Sequence, residues 1–161
     1  MLGLDPGSTH TGWGVVEFLG GSMSARAWGR LSPSSNDGLA GRLLEISDGL
    51  DRLLSEHRPD LVAVERVFHG RNSRSLIVLA EARGALLVSI ARRGIPIAEV
   101  APAMVKSAVT GSGRADKQQV SRMVKLQLGL VGRAIAVDAA DALAVAITGQ
   151  QVWSAGARFE R

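Results

Sequence analysis

The feature that most constrains this chain is a short apolar strand that ends abruptly on a carboxylate. Met1-Leu-Gly-Leu-Asp-Pro-Gly7 runs from apolar Leu2 and Leu4 into Asp5, and Pro6-Gly7 cannot continue a ladder. Asp5 therefore sits at the end of a buried strand. An acid so placed is costly unless a cation or a base pairs with it. Asp-Pro-Gly also serves as a self-capped turn, and this stretch alone supports both readings.

The same device recurs. After Pro59-Asp60, the run Leu61-Val-Ala-Val64 reads as a strand buried on both faces, and it ends in Glu65. Between the two strands the pattern changes period. Trp13 to Leu19 and Ser24 to Leu31 read as strands joined at Gly20-Gly21. Ser32 to Gly38 reads as a loop. Leu39, Leu43, Ile46, Leu50 and Leu53 then fall at helical spacing.

Beyond Glu65 lies a polar, basic loop to Ser75. Leu76 to Ala91 is helical but apolar around most of its circumference, with Glu81 and Arg83 its main charged interruptions. A sheet covers only one side of such a helix, so a second copy of the chain is expected on the other, at a position such as Leu79 or Leu86. Ile95 to Val100 reads as a strand, and Pro102 opens a short helix to about Val109. Asp116 with Gln119 forms a capping-box pattern for a helix through Leu128. Asp138 to Ile147 reads as an Ala-rich helix, and Gln150 to Arg161 as a tail.

These elements predict an α/β fold with a five-stranded mixed sheet flanked by helices: three antiparallel strands, then two parallel ones reached through right-handed crossovers. A chain of 161 residues, 46% apolar, suits one domain, residues 1–150, with a short flexible tail at 151–161.

Composition narrows the function. The absence of cysteine excludes disulfides and thiolate metal sites and fits a reducing cytoplasm. There is no secretory signal pattern and no apolar run of about 18 residues, so no membrane span is expected. The balance is basic, with 19 Lys and Arg against 15 Asp and Glu. From Ala103 to Val137, Lys106, Arg114, Lys117, Arg122, Lys125 and Arg133 face a single acid, Asp116. Arg66, Arg71 and Arg74 form a second basic stretch. Both favour a polyanionic partner, although such runs also occur on merely solvated faces.

If the strands ending in Asp5 and Glu65 are parallel neighbours, both acids emerge at one sheet edge. Asp138 and Asp141 lie three apart at the start of the last helix and share a face. Acids there also serve as helix N-terminal charges. Asp141, however, stands among Ala139, Ala140, Ala142 and Leu143, where no neighbour pairs with it. Four convergent carboxylates call for hard cations, Mg²⁺ or Mn²⁺. Two ions about 3.5–4 Å apart clamp a phosphodiester.

The stretches Gly3-Leu-Asp-Pro-Gly7 with Thr11-Gly-Trp-Gly14, Val64-Glu-Arg-Val-Phe68 with Arg71-Asn72, Ala82-Arg-Gly84, Val105-Lys106, Gly111-Ser-Gly-Arg-Ala-Asp-Lys117 with Gln119-Val120, and Asp138-Ala-Ala-Asp-Ala-Leu143 together resemble the RuvC family of Holliday-junction resolvases, of the ribonuclease H-like superfamily. The resemblance covers nearly the whole chain in order. It implies a homodimeric, Mg²⁺-dependent endonuclease that cuts paired strands of a four-way DNA junction, leaves 5′ phosphates, and serves recombination and repair. Two Mg²⁺ per site, with Mn²⁺ able to substitute, are expected from the four carboxylates. It places Asp5, Glu65, Asp138 and Asp141 at the family's acidic positions, where some members carry His at the third. Lys106 and Lys117 fall on its basic positions at the site. Phe68 matches an aromatic that stacks at the opened junction, and Arg71, Asn72, Arg74, Arg114 and Lys117 are expected DNA contacts. A RuvA/RuvB branch-migration complex and a cytoplasmic, nucleoid-associated location are implied in the same way. His10 receives no role.

Two other classes compete. Asp5-Pro-Gly-Ser8 resembles the phosphate loop of sugar kinases and related ATPases, which need a second lobe that 161 residues leave no room for. A non-catalytic DNA-binding module would leave all four carboxylates without purpose.

Overall fold

The strand that carries Asp5 lies at the centre of everything else. In the computed structural model, which describes residues 1–7, 9–34, 36, 38–67 and 73–156, β1 (Leu2–Asp5) is the middle strand of five. It pairs antiparallel with β2 (Thr11–Leu19), which pairs antiparallel with β3 (Ser22–Leu31). On its other side it pairs parallel with β4 (Val62–Glu65), which pairs parallel with β5 (Ile97–Val100). The sheet order is β3-β2-β1-β4-β5. The predicted mixed sheet is thus observed. Gly20 and Gly21 both take positive φ, 58° and 82°, which lets the β2–β3 turn follow the strand twist.

Helices cover both faces. Leu2 and Leu4 point to one layer, where they pack with Ile46, Leu50 and Leu54 of α1 (Leu39–His57) and Ala82, Leu86 and Ile90 of α2 (Ser73–Arg92). Period-2 alternation sends Ala63, Ala98 and Val100 to the opposite layer. There they meet Val105 and Val109 of α3 (Pro102–Thr110), Val120 and Val124 of α4 (Lys117–Gln127), and the Ala-rich α5 (Val137–Ser154). No helix among the described residues is long and apolar enough to cross a membrane.

The seating of α5 decides where its acids go. Gly3 of β1 and Gly14 of β2 are register partners, as are Asp5 and Gly12. These glycines form a floor without side chains beneath α5. A Cβ on Gly3 would fall 2.1 Å from the Ala142 carbonyl oxygen, and one on Gly12 would fall 2.0 Å from that of Asp138. Alanines on the helix and glycines on the strands bring backbone almost against backbone.

Two readings from sequence need correction. The last helix does not stop near Ile147 but runs to Ser154, because Ala144 to Gly149 stay buried on the sheet and carry it onward. Residues 157–161 of the expected tail lie outside the described residues. On α2, Leu86 is fully buried against the sheet and Leu79 is half-buried. The outward apolar residues are instead Ile77, 58% exposed, and Val88, 52% exposed. A helix apolar all round gives no sequence cue to its inner face.

If the glycine floor fixes α5, Gly3→Ala and Gly12→Ala each destabilise the protein by about 2–3 kcal/mol or more, since backbone rather than a flexible side chain must move. Urea denaturation measures this, and undiminished stability in both variants would show that α5 has room to rise.

Candidate active site

Pleat direction places the first two acids. Leu4 and Val64 face the α1–α2 layer, so the next residues, Asp5 and Glu65, point to the α5 layer at the carboxyl ends of adjacent parallel strands. Their carboxyls stand close enough for each to perturb the titration of the other. The first turns of α5 deliver the rest. Asp141 joins Asp5 and Glu65 in the lining of a cavity of about 170 Å³, together with Lys106 and Lys117 over Pro102, Val105 and Val120.

The two lysines arrive from separate helices. Lys106 follows the buried Val105 on α3, whose first residue is Pro102, a favoured opening for a helix. Lys117 opens α4, and the capping box fixes that end. Gln119 donates its backbone N–H to Asp116 Oδ1 (2.8 Å), and Asp116 donates its own to Gln119 Oε1 (2.9 Å). Lys117 Nζ donates to Asp141 Oδ2 at 3.1 Å.

Asp138 stands beside this cavity and does not line it. Its carbonyl rests over Gly12, and its charge is felt at Lys117. Arg74 and Arg114 are exposed, at the start of α2 and before α4. Phe68, Arg71 and Asn72 lie outside the described residues. His10 shares a 3.0 Å hydrogen bond between its Nδ1 and Ser32 Oγ.

The electrostatics follow from crowding. Burial, and then the charges of Glu65 and Asp141, push the Asp5 carboxyl up to about 8. Burial also raises Glu65. Asp141 raises Lys117 and keeps it charged. Asp5 thus favours its protonated form beside Glu65, and Asp141 takes its counter-charge from Lys117. As these side chains stand, no three carboxylates or imidazoles among the described residues are arranged to ligate one ion. The donor set nonetheless fits a hard divalent cation, because carboxylates from β1, β4 and α5 line one small cavity.

One set of contacts was not foreseen. Arg83 of α2 donates from Nε to the Glu65 backbone carbonyl at 3.2 Å and from Nη2 to Glu99 of β5. Glu99 also pairs with Arg66 Nε at 3.4 Å. The available signal was that Arg83 and Glu81 are the charged interruptions in the otherwise apolar run from Leu76 to Ala91.

A mixed sheet of order β3-β2-β1-β4-β5 with carboxylates at the carboxyl ends of its central parallel strands defines a ribonuclease H-like fold. The family described as crossover junction endodeoxyribonuclease RuvC matches residues 1–149. The RuvC crossover junction endodeoxyribonuclease of Caulobacter vibrioides is 45% identical over 148 residues, 92% of this chain and 87% of its own length. That of Streptomyces coelicolor is 44% identical over 159 residues, 98% of this chain and 84% of its own. Among solved structures, Thermus thermophilus RuvC in complex with Holliday junction substrate superposes with a TM-score of 0.89 at 33% identity, covering 96% of this chain and 94% of that one. The chain belongs to the RuvC family of crossover junction endodeoxyribonucleases.

The raised carboxyl has a sign that can be checked. A carboxyl raised on folding contributes stability that is present below its ordinary value, 3.8, and lost as pH rises through its folded value, here about 8. In chelator, the melting temperature therefore falls between about pH 4 and pH 8. Asp5→Asn flattens that slope. An identical slope in both proteins would place the proton elsewhere.

Proposed function

We propose that this chain resolves four-way DNA junctions by metal-dependent phosphodiester hydrolysis at the Asp5–Glu65–Asp141 cavity. The single observation that carries this is the convergence of those carboxylates with Lys106 and Lys117 at one sheet edge, in a chain of this family. Asp5, Glu65 and Asp141, with Asp138 beside them, would hold Mg²⁺, two per site, with Mn²⁺ as substitute. When bound, the metal supplies a water nucleophile at neutral pH and stabilises the departing 3′ oxygen, leaving a 5′ phosphate.

The chain's own groups do the rest. The rigid strand ends hold Asp5 and Glu65 in fixed relation. Lys117, whose Nζ donates to Asp141 from the first turn of α4, would offer its charge to the scissile phosphate. Lys106 faces the same space from α3, and both offset charge that grows in the transition state. Arg74 and Arg114 flank the site as phosphate contacts, and Phe68, Arg71 and Asn72 are proposed to meet the junction from the segment after Arg66.

Paired incision requires two sites. Ile77 and Val88 are exposed on the face of α2 opposite Ala82, Leu86 and Ile90. A second copy covering that stripe would produce a two-fold dimer with one site for each of two opposed strands. Action beside a RuvA/RuvB-type branch-migration complex and a cytoplasmic, nucleoid-associated location complete the reading.

A synthetic four-way junction with Mg²⁺ tests it. Asp5→Asn, Glu65→Gln and Asp141→Asn each lower cleavage by roughly 100-fold or more, while junction binding stays intact or tightens. Wild-type cleavage in any of them at saturating Mg²⁺ would sink the assignment. Lys106→Ala and Lys117→Ala slow turnover more than they weaken binding, and equal losses in both would reduce them to simple anchors.

The dimer has its own test. Val88→Asp sediments as a monomer at micromolar concentration and loses paired incision before it loses folding. A wild-type chain that runs as a monomer refutes the interface.

A further inference from the structure

The parallel ladder between β1 and β4 has a gap at the catalytic edge. Leu2 donates its N–H to the Leu61 carbonyl at 3.0 Å, and register pairs Leu2, Gly3 and Leu4 with Val62, Ala63 and Val64. Continued in step, the ladder calls for an N–H at residue 4 opposite the Ala63 carbonyl and another at residue 6 opposite the Glu65 carbonyl. Residue 6 is Pro, which has no N–H. On the β5 side the backbone remains held, since Arg66 donates its N–H to the Val100 carbonyl at 2.8 Å. The Glu65 carbonyl faces the gap, at the point where the spacing of Asp5 and Glu65 is set.

Arg83 fills this gap. Its Nε donates to the Glu65 carbonyl at 3.2 Å. The guanidinium is held in turn by Glu99, and Glu99 also grips Arg66. The Arg83 side chain is only 18% exposed and reaches the strand ends from α2, on the face of the sheet away from the cavity. We propose that Arg83 is a positioning residue for cleavage: it replaces the N–H that Pro6 lacks, and with Glu99 it fixes the backbone on which Glu65 is presented beside Asp5. The planar guanidinium suits this task, because one group serves a carbonyl and a carboxylate at fixed angles. The proposal rests on the nuclease reading above.

The test separates positioning from DNA contact and from simple support of the fold. Single-turnover cleavage of a synthetic four-way junction is measured with Mg²⁺, and junction affinity is measured in chelator. Arg83→Met lowers the cleavage rate by roughly 10–100-fold, the scale expected for a displaced catalytic group, while affinity stays within about twofold. It also raises the Mg²⁺ concentration for half-maximal rate. Arg83→Lys, which restores one donor, recovers part of the loss. Glu99→Gln, which loosens the hold on the guanidinium, gives a smaller loss in the same direction. A wild-type cleavage rate in folded Arg83→Met overturns the proposal, and so does an equal loss of rate and affinity, which would make Arg83 a DNA contact. Should Arg83→Met fail to fold, wild-type rates in both Arg83→Lys and Glu99→Gln overturn it. An inactive wild-type chain in the same assay would instead refute the nuclease reading.

Discussion

The arrangement depends on how closely α5 lies against β1 and β2. Ordinary helix-on-sheet packing leaves a layer of side chains between backbones, and acids at the start of such a helix would stand well away from the strand ends. Here Gly3 lies directly under Ala142 and Ala146 and Gly12 under the backbone of Asp138, while Gly14 makes room for the Leu143 side chain, so the helix settles close to the strands. Asp138 and Asp141 are thereby lowered onto the edge where Asp5 and Glu65 already stand. Small residues within a helix or strand bury less surface than large ones, so this closeness gives up some hydrophobic stabilisation. The apolar residues around it make up the difference. Val16, Val100, Val120, Val124, Leu143 and Ile147 form one cluster on that side of the sheet.

Having been brought together, the carboxylates oppose one another. Asp5 relieves the repulsion by keeping its proton, and Asp141 by drawing in Lys117. Neither arrangement is the best use of these groups for stability alone, because apolar residues of similar volume would pack there without any desolvation penalty. The acids of this cavity are instead satisfied by protonation and by a long, largely exposed lysine. The conflict between local stability and site composition is the kind expected where a fold serves chemistry.

Much of this was legible in the chain. Strands that end on an acid can be read because proline and glycine stop a ladder without ambiguity, and the Gly20-Gly21 hairpin and the Asp116–Gln119 capping box are local patterns with local causes. Asp141 among alanines pointed to a cavity it does line, because an acid in an apolar stretch has few structural uses. What could not be read depends on contacts distant in sequence. The inner face of α2 is set by the sheet it meets, so Leu86 and Val88 could be told apart only by burial. The reach of α5 to Ser154 depends on continued packing beneath it, not on any stop signal. Likewise Asp138 shares a helix face with Asp141 but lies outside the cavity lining, because its backbone, not its carboxylate, meets Gly12.

The two faces of the sheet consequently divide the work. The α5 face brings the acids in by removing side chains, which gives a fixed height and little freedom. The α1–α2 face stabilises the same strands from behind with Leu2, Leu4, Val62 and Val64 packed on long apolar residues. Pro6 belongs to both accounts. It ends β1 directly after Asp5, and it leaves the neighbouring strand one donor short. The missing donor comes from the back layer, through Arg83, because the front is already occupied by the cavity. A helix that supports the sheet, and that carries the exposed Ile77 and Val88 on its far side, is thus joined by a hydrogen bond to the backbone of Glu65. Any displacement of α2 along the sheet would be felt first at Glu65, since that carbonyl, unlike those earlier in β4, takes its donor from a side chain on a different element rather than from the strand beside it.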